Sequence, residues 1–281
     1  QVALKTDGSG IGAHLDISTV IVATGMQEIE PVGQFEYGSD PRVKTQLQLE
    51  AALRSKRLGS LSSVVMINCV NSKNESRGCC TVGCHVAVKN AIAVKTLRQD
   101  ADVFILYRDM SLVREEGAAQ QQAKQLGVKF LRFPDNRYPE VRKEDDRLRV
   151  KVYDLLIGKE IEVPADLIVL TTALRGNESV EQVKGLLKVS TNTDGFFQEA
   201  HVKLAPLEFA THGVSLAGCA KAPMFFKESC EAGIGAAMKA SIPMKNGYIE
   251  AEGIVADIDL THCSQCGLCS QRCPYQAIRV D

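Results

Sequence analysis

Eight of the chain's ten cysteines fall into two tight groups. Cys69, Cys79, Cys80 and Cys84 form one, and Cys263, Cys266, Cys269 and Cys273 the other. A disulfide framework would not cluster them so, because disulfide staples serve small secreted domains rather than α/β chains of this length. Thiolates are soft ligands, so both groups read as metal sites in a reducing compartment. The second group is spaced C-x2-C-x2-C-x3-C and runs into Pro274. Three thiolates at that spacing wrap three irons of one cubane, and the fourth commonly serves the other cubane of a two-cluster site. Gly267 lets backbone amides turn toward the cluster sulfurs. The competing reading is a zinc ribbon, which usually has two C-x2-C pairs set well apart. No second run of this kind follows before Asp281. Either Cys273 serves the same cluster, or the chain is a piece of a longer protein.

The first group matches no standard run. Four thiolates, three of them within six residues, suit a cubane; a zinc site, or buried thiols in an ordinary loop, is the other reading. His85 adjoins Cys84 and reads as the first turn of a helix in preference to a replacement ligand. Cys219 and Cys230 lack C-x-x-C spacing and read as small buried thiols.

The elements around these groups follow from periodicity. Residues 2–6 and 14–22 read as a hairpin around the turn at Gly8 and Gly10. Residues 45–57 read as a helix, 64–68 as a short buried strand, 84–98 as a helix and 102–107 as a strand. Residues 116–126 read as helical and 128–133 as a third strand, completing a Rossmann-like β-α-β-α-β unit with a parallel sheet. Segments 147–153, 159–163 and 166–172 read as a β-meander, 213–218 as a strand and 227–240 as a helix. A nucleotide-binding unit should carry G-x-G-x-x-G after its first strand. Here that position reads Asn68-Cys69-Val70-Asn71-Ser72. Cysteines replace the phosphate cradle, so a nicotinamide dinucleotide is not expected at this turn.

Composition narrows the field. The chain has 281 residues, 45% hydrophobic and 24% charged, with a net charge of −1. It can bury a sizeable core, and its length suits two domains and a small third module. The charge balance argues against a nucleic-acid partner. The absence of Trp argues against base-stacking platforms. No apolar run approaches a membrane span.

Three stretches then carry a resemblance. Ala23-Thr24-Gly25, the strand from Asp166 to Leu170, and Gly213-Val-Ser-Leu-Ala-Gly218-Cys219-Ala resemble the two-dinucleotide-binding flavoproteins of the thioredoxin reductase type. The cysteine-rich turn from Cys69 to Lys89, with Gly195-Phe-Phe-Gln-Glu-Ala-His201-Val-Lys-Leu-Ala-Pro206, narrows it to the flavin-carrying A subunits of heterodisulfide reductases. The resemblance covers essentially the whole chain. It implies an α/β fold of the thioredoxin reductase type, with a Rossmann-like unit, a β-meander and a C-terminal ferredoxin-like module. The domains implied are 1–58 with 176–247 as part of an FAD-binding domain, 59–175 as a Rossmann-like domain, and 248–281 as an incomplete [4Fe-4S] module. Two departures stand out. The family's N-terminal region and Gly-rich FAD turn are missing, which supports a missing N-terminal part. The family's turn ends in C-x3-C-C, whereas here it reads Cys79-Cys80-x3-Cys84, with Gly83 where a cysteine is expected and Cys80 as a substitute.

The roles that the resemblance implies are specific. Thr24 and Gly25 lie beside the flavin, and Gly218 and Cys219 match a Gly-Asp pair whose acid binds the ribityl chain. Cys219 is not a carboxylate, so only the backbone contact carries over. Lys227, Glu228 and Ser229 open a helix whose N-terminal dipole favours an electron-rich flavin; plain helix capping is the alternative for Glu228 and Ser229. Lys89 falls where the family has a lysine near the flavin N5 side, against a solvated helix lysine. The cofactors implied are FAD and [4Fe-4S] clusters, one at the first cysteine group and one, or a share of two, at the second. The activity implied is electron transfer between FAD and clusters in a cytoplasmic oxidoreductase of an anaerobe, with flavin-based electron bifurcation as the family's scheme. The partners implied are heterodisulfide reductase B- and C-like subunits, ferredoxin, and a hydrogenase- or formate dehydrogenase-linked subunit. They would surround a homodimer that is peripheral to the membrane if its partners are. Alternatives are a non-bifurcating conduit of a quinone-interacting or aromatic-ring-reducing complex, an NAD(P)H-dependent flavin reductase, and a zinc-stabilised interaction module.

Overall fold

The structure, a computed structural model, describes residues 2–3, 14–55, 57–112, 117–249, 256–274 and 277–278. In chain order the first elements are β1 (Val2–Ala3), β2 (His14–Leu15), β3 (Val20–Val22), β4 (Met26–Glu28), β5 (Val43–Thr45), α1 (Gln46–Arg54) and β6 (Ser63–Val70). Next come α2 (Gly83–Leu97), β7 (Asp102–Tyr107), α3 (Gly117–Gln125), β8 (Lys129–Arg132), β9 (Glu140–Glu144), β10 (Arg147–Asp154) and β11 (Lys159–Ala165). The chain continues through β12 (Leu167–Thr172), β13 (Leu174–Gly176), α4 (Val180–Leu187), β14 (Val214–Leu216), α5 (Phe226–Asn246) and α6 (Leu268–Arg272). Of the expected first hairpin, Val2–Ala3 pairs antiparallel with His14–Leu15 as β1 and β2, while residues 20–22 form a separate strand, β3, that pairs with β14. The hairpin's turn at Gly8 and Gly10 lies outside the described residues.

The central sheet has five strands in the order β5-β12-β6-β7-β8, all parallel. A parallel sheet needs cover on both faces, and its side chains alternate between them. Val65 and Ile67 of β6 join the core shared with Leu148, Val150 and Val163 of the antiparallel β9-β10-β11 layer. Val64 and Met66 join the core shared with Leu49 of α1 and Ala87, Val88 and Ala91 of α2. The result is three layers: meander, parallel sheet, helices. One assignment is corrected here. Residues 166–172 do not close the meander; β12 lies inside the parallel sheet between β5 and β6. All six of its residues are buried, so its continuous apolar run marks a two-sided parallel strand. The meander's third strand is β9, whose side chains are mostly exposed and carry no apolar run. The sheet also takes in β5, and α1 packs against it, both upstream of residue 59. Thr45 caps α1 through its hydroxyl and Gln48 reaches back, a capping box that fixes where that helix starts.

A second layer pairs β3 with β14 in parallel, with Val20, Ile21 and Val22 opposite Val214, Ser215 and Leu216. A separate core of Val22, Phe197, Phe209 and Leu216 lies under it. The antiparallel pair of β4 and β13 runs alongside both passages of the chain between the two layers.

Asp40 is buried at the edge of the central sheet. Arg42 donates to it from Nε at 2.9 Å, from the opposite amine at 2.7 Å and from its backbone N–H, and Lys143 approaches to 3.2 Å. Hydrogen bonding to Arg42 holds the Asp40 carboxyl well below the usual carboxylate range, against the opposing effect of burial. A depressed folded pKa stabilises the protein above the unfolded value of about 3.9 and loses that contribution as pH falls through the folded value. Replacing Asp40→Asn should therefore lower unfolding stability by about 2 kcal/mol at pH 7, and the difference should shrink in denaturant titrations run below about pH 4.

Candidate functional site

In an open parallel sheet, the crevice for a ligand opens at the carboxyl ends of the strands, where the strand order reverses. Here that point lies between β6 and β12, the neighbours that lead outward in opposite directions. The ladder between them slips between Leu170 and Thr172, opposite the end of β6. A bulge of this kind ends regular pairing and re-aims side chains. Cys69 sits there with φ 65°, in the left-handed region. Asn71, Lys73 and Thr81 are left-handed too, at 58°, 52° and 60°. Such turns cost non-glycine residues about 1–2 kcal/mol each, and successive turns of this type point backbone N–H groups into one concavity, as in phosphate and iron–sulfur sites. The backbone curvature of a nucleotide turn is retained, and a thiol hangs from it.

The rest of the turn is tied down locally. Lys73 N–H donates to Gly78 O at 2.9 Å, and the Asn74 side chain accepts from the N–H groups of Ser76 and Arg77. Arg77 Nε then bonds Asp194 at 2.8 Å, pinning the turn to the 190–198 segment. Cys69, Cys80 and Cys84 are buried and Cys79 is exposed. Cys84 opens α2, its thiol 3.7 Å from Asp109 O at the end of β7. The four thiols sense one another: Cys79 acts on Cys69, Cys80 and Cys84, and Cys69 and Cys80 each interact with Cys84. The Cys80 S–H, the Thr81 N–H and the Lys73 ammonium bring the Cys79 thiol down to about 6. Its partner Cys80 is pushed far up by the same contact and by burial. Burial also raises Cys69, opposed by Arg108 and Lys73, and raises Cys84. Among the described residues, no group of three or more His, Cys, Asp or Glu is drawn tight enough to hold a single ion.

Gly83 explains the departure from C-x3-C-C. A Cβ at this position would stand 2.6 Å from Cys80 Sγ and 2.6 Å from Thr171 Cγ2. A side chain there would force the Cys80 thiol or the Thr171 methyl to move. His85 lies in the first turn of α2 with its ring edge-on to Phe225, centroids 5.4 Å apart. That contact joins the cysteine turn to the start of α5.

The start of α5 gathers most of the residues expected at a flavin. Ala217 N–H bonds Val22 O at 2.9 Å, so the turns after β3 and β14 leave the same edge. Gly25 and Gly218 both have positive φ, 76° and 60°. Thr24 Oγ1 is buried without a hydrogen-bond partner, as an oxygen waiting for a ligand would be. Cys219 Sγ lies 3.6 Å from Ser229 Oγ and from Met224 O. Glu228 caps its own helix, accepting from Phe225 N–H at 2.8 Å, and Lys227 is exposed. A cleft of about 160 Å3 runs between Cys79 and Cys80 on one side and Phe196, Ala222 and Pro223 on the other. Lys89 stands apart from the cysteines, exposed on α2 and paired with Glu50 of α1. Glu50 lines a second, apolar cleft of about 190 Å3 with Met26, Val82, Gly83 and Thr172.

In the C-terminal segment, Cys263, Cys266 and Cys269 are exposed and Cys273 is half-buried. Gly267 adopts φ 71° and starts α6. The Leu268 N–H and the Ser264 side chain lower the Cys266 thiol, and Ala277 N–H reaches Cys273 Sγ at 3.4 Å. Amides directed at thiolates are what a cluster site requires.

Reasoning from the sequence missed the tight space at Gly83, and it missed Arg108 and Asp109 altogether. The last two follow β7 directly, and a rule that looks at the carboxyl ends of parallel strands would have found them.

Residues 256–279 match the 4Fe-4S binding domain family. The chain is 33% identical over 95% of its length to the first A-type iron–sulfur subunit of CoB–CoM heterodisulfide reductase from Methanopyrus kandleri, covering 43% of that protein. It is 33% identical over 99% of its length to the A-type subunit of the H2:CoB-CoM heterodisulfide, ferredoxin reductase of Methanothermobacter thermautotrophicus, covering 45% of it. The chain thus spans less than half the length of the curated relatives it matches. Among solved structures, thioredoxin reductase of T. acidophilum aligns with a TM-score of 0.54 at 19% identity, over 87% of this chain and 72% of that one. The Lactococcus lactis enzyme aligns with 0.55 at 18%, over 85% and 69%. The fold is of the thioredoxin reductase type, with a 4Fe-4S segment at its C-terminal end.

Replacing Gly83→Ala should overpack the turn, costing about 1–3 kcal/mol. A lower thermal midpoint together with faster labelling of Cys80 by a thiol reagent would be the expected pair of results.

Proposed function

From its homology with heterodisulfide reductase A subunits over nearly its whole length, we propose that this chain is the electron-relaying part of a flavin and iron–sulfur oxidoreductase subunit. The observation that carries the reading is the convergence at one edge. Four neighbouring thiols lie at the sheet's reversal point, and the His85–Phe225 contact ties them to the turns after β3 and β14. Bound FAD exchanges electrons singly or in pairs, and [4Fe-4S] clusters pass them one at a time. Everything else falls to the protein, which sets distance, orientation and potential.

In this reading Cys69, Cys79, Cys80 and Cys84 hold one cluster, and Cys263, Cys266, Cys269 and Cys273 hold another. Their chemistry suits that role. Cys79 is eased toward thiolate by the Cys80 S–H and the Thr81 N–H, and Cys266 by the Leu268 N–H and the Ser264 side chain; bound iron would deprotonate the buried members. Thr24, Gly25, Gly218, Cys219 and Ser229 form one wall of the flavin site, with the unpartnered Thr24 hydroxyl free to donate or accept. The N-terminus of α5, through Lys227, Glu228 and Ser229, favours negative charge nearby. Lys89, steadied by Glu50, offers a cation at the rim of the apolar cleft. The pyrophosphate cradle is not among these residues. The domain limits 1–58 with 176–247, 59–175 and 248–281 stand as part of the same proposal.

The finer proposal is that the whole subunit divides electrons between a low-potential and a high-potential acceptor. It would do so within a cytoplasmic complex of heterodisulfide reductase subunits, ferredoxin, and a hydrogenase- or formate dehydrogenase-linked subunit. Redox titration of the flavin should then give crossed one-electron potentials; normally ordered potentials would reduce the protein to a simple conduit. Cys84→Ser and Cys266→Ser should each remove about half of the iron from protein purified without oxygen, since each touches one four-cysteine site. If Cys84→Ser leaves the iron content unchanged, the turn holds no cluster.

A further inference from the structure

Among the described residues, Arg108 is the most deeply buried arginine near the cysteines, with a side chain only 6% exposed. It extends β7 into the concavity behind the turn. Its two amines donate to Lys73 O at 2.9 Å and Ser72 O at 2.6 Å. Its plane lies against Tyr138, 5.2 Å from the ring centroid. Its Nε is buried and has no hydrogen-bond partner. The Ser72 it holds donates in turn from its N–H to Cys69 O at 3.4 Å, so the guanidinium is tied to the turn that carries Cys69.

This cation is weakly compensated. Lys73 and Arg132, its cationic neighbours at the turn, both pair with Asp109. Arg108 bonds to neutral carbonyls, and its carboxylate neighbour among the described residues is Asp135, 3.6 Å away and 83% exposed. Asp135 pairs with the guanidinium, but its carboxylate stands mostly in solvent, where an exposed pair contributes little.

We propose that Arg108 sets the reduction potential of the cluster at Cys69, Cys79, Cys80 and Cys84, raising it by placing a fixed, poorly compensated positive charge and a spare N–H donor behind Cys69. The inference rests on the reading of these cysteines as cluster ligands. Its physical basis is direct. One-electron reduction makes a cluster more negative, and a nearby cation in a low-dielectric setting stabilises the reduced state more than the oxidised one. Net charge, hydrogen bonds to sulfur and exposure are the protein's means of setting cluster potential. Arg108 supplies the first two and helps to limit the third by closing the turn against Tyr138.

The test is an EPR-monitored titration of the whole chain with dithionite, using Arg108→Gln and Arg108→Lys. The turn's signal is assigned by its loss in Cys84→Ser. The Gln variant keeps N–H donors but no charge, and the Lys variant keeps the charge without the fork. The expected result is full iron in both variants, a clearly more negative midpoint for Gln, and a midpoint for Lys nearer to that of the parent. An unchanged midpoint in Gln, or equal shifts in Gln and Lys, overturns the proposal. So does loss of cluster iron from either variant, which would make Arg108 a brace for the Ser72–Lys73 backbone and nothing more. If the parent shows no signal dependent on Cys84, the reading of the turn as a cluster site fails instead, and the two failures are thereby distinct.

Discussion

A parallel strand buried on both faces has to leave its sheet without stranding polar backbone, and at the end of β6 the chain does so in left-handed turns. In nucleotide-binding units glycines make that exit. Here Cys69, Asn71 and Lys73 make it with side chains attached, at a cost the surrounding bonds must offset. The offset is visible. Ala173 N–H holds Val70 O, Arg108 holds Ser72 O and Lys73 O, and Asn74 folds the loop back on itself. Once the exit is fixed, Cys79 and Cys80 are brought back over it, and Cys84 arrives at the head of α2.

The same constraint links the two layers. The cysteine turn and the start of α5 touch through His85 and Phe225, and the cleft between Cys79 and Pro223 runs along that seam. The proposed electron transfer would ask for short, fixed separations between cofactors rather than for an acid–base pair. A rigid seam between packed layers supplies that better than a mobile loop would. The depressed pKa values of Cys79 and Cys266, and N–H groups directed at sulfur in both cysteine groups, are what the proposed cluster sites would require.

Much of this is legible in the sequence, for physical reasons. The strands β6 and β7 and the helix α2 announce themselves by apolar runs and helical spacing, and the missing glycines after β6 point straight to the cysteine turn. The C-terminal run is readable because ligand spacing is itself the geometry. Other features are not legible. β9 exposes most of its side chains and exists through its ladder to β10. β12 reads as part of the meander because it follows β11 directly, although its uniform burial ties it to the parallel sheet. Gly83 looks like a lost ligand, and only the distance to Cys80 and Thr171 reveals it as a space requirement. Arg108 is one arginine among many until burial singles it out.

In the proposed function, the turn at Cys69, Cys79, Cys80 and Cys84 carries one cubane and the C-terminal segment another. Iron and acid-labile sulfide, measured per chain on protein purified without oxygen, test it most directly. About eight of each is the predicted result, the load of two four-cysteine sites. About four of each, or zinc in place of iron, would contradict it.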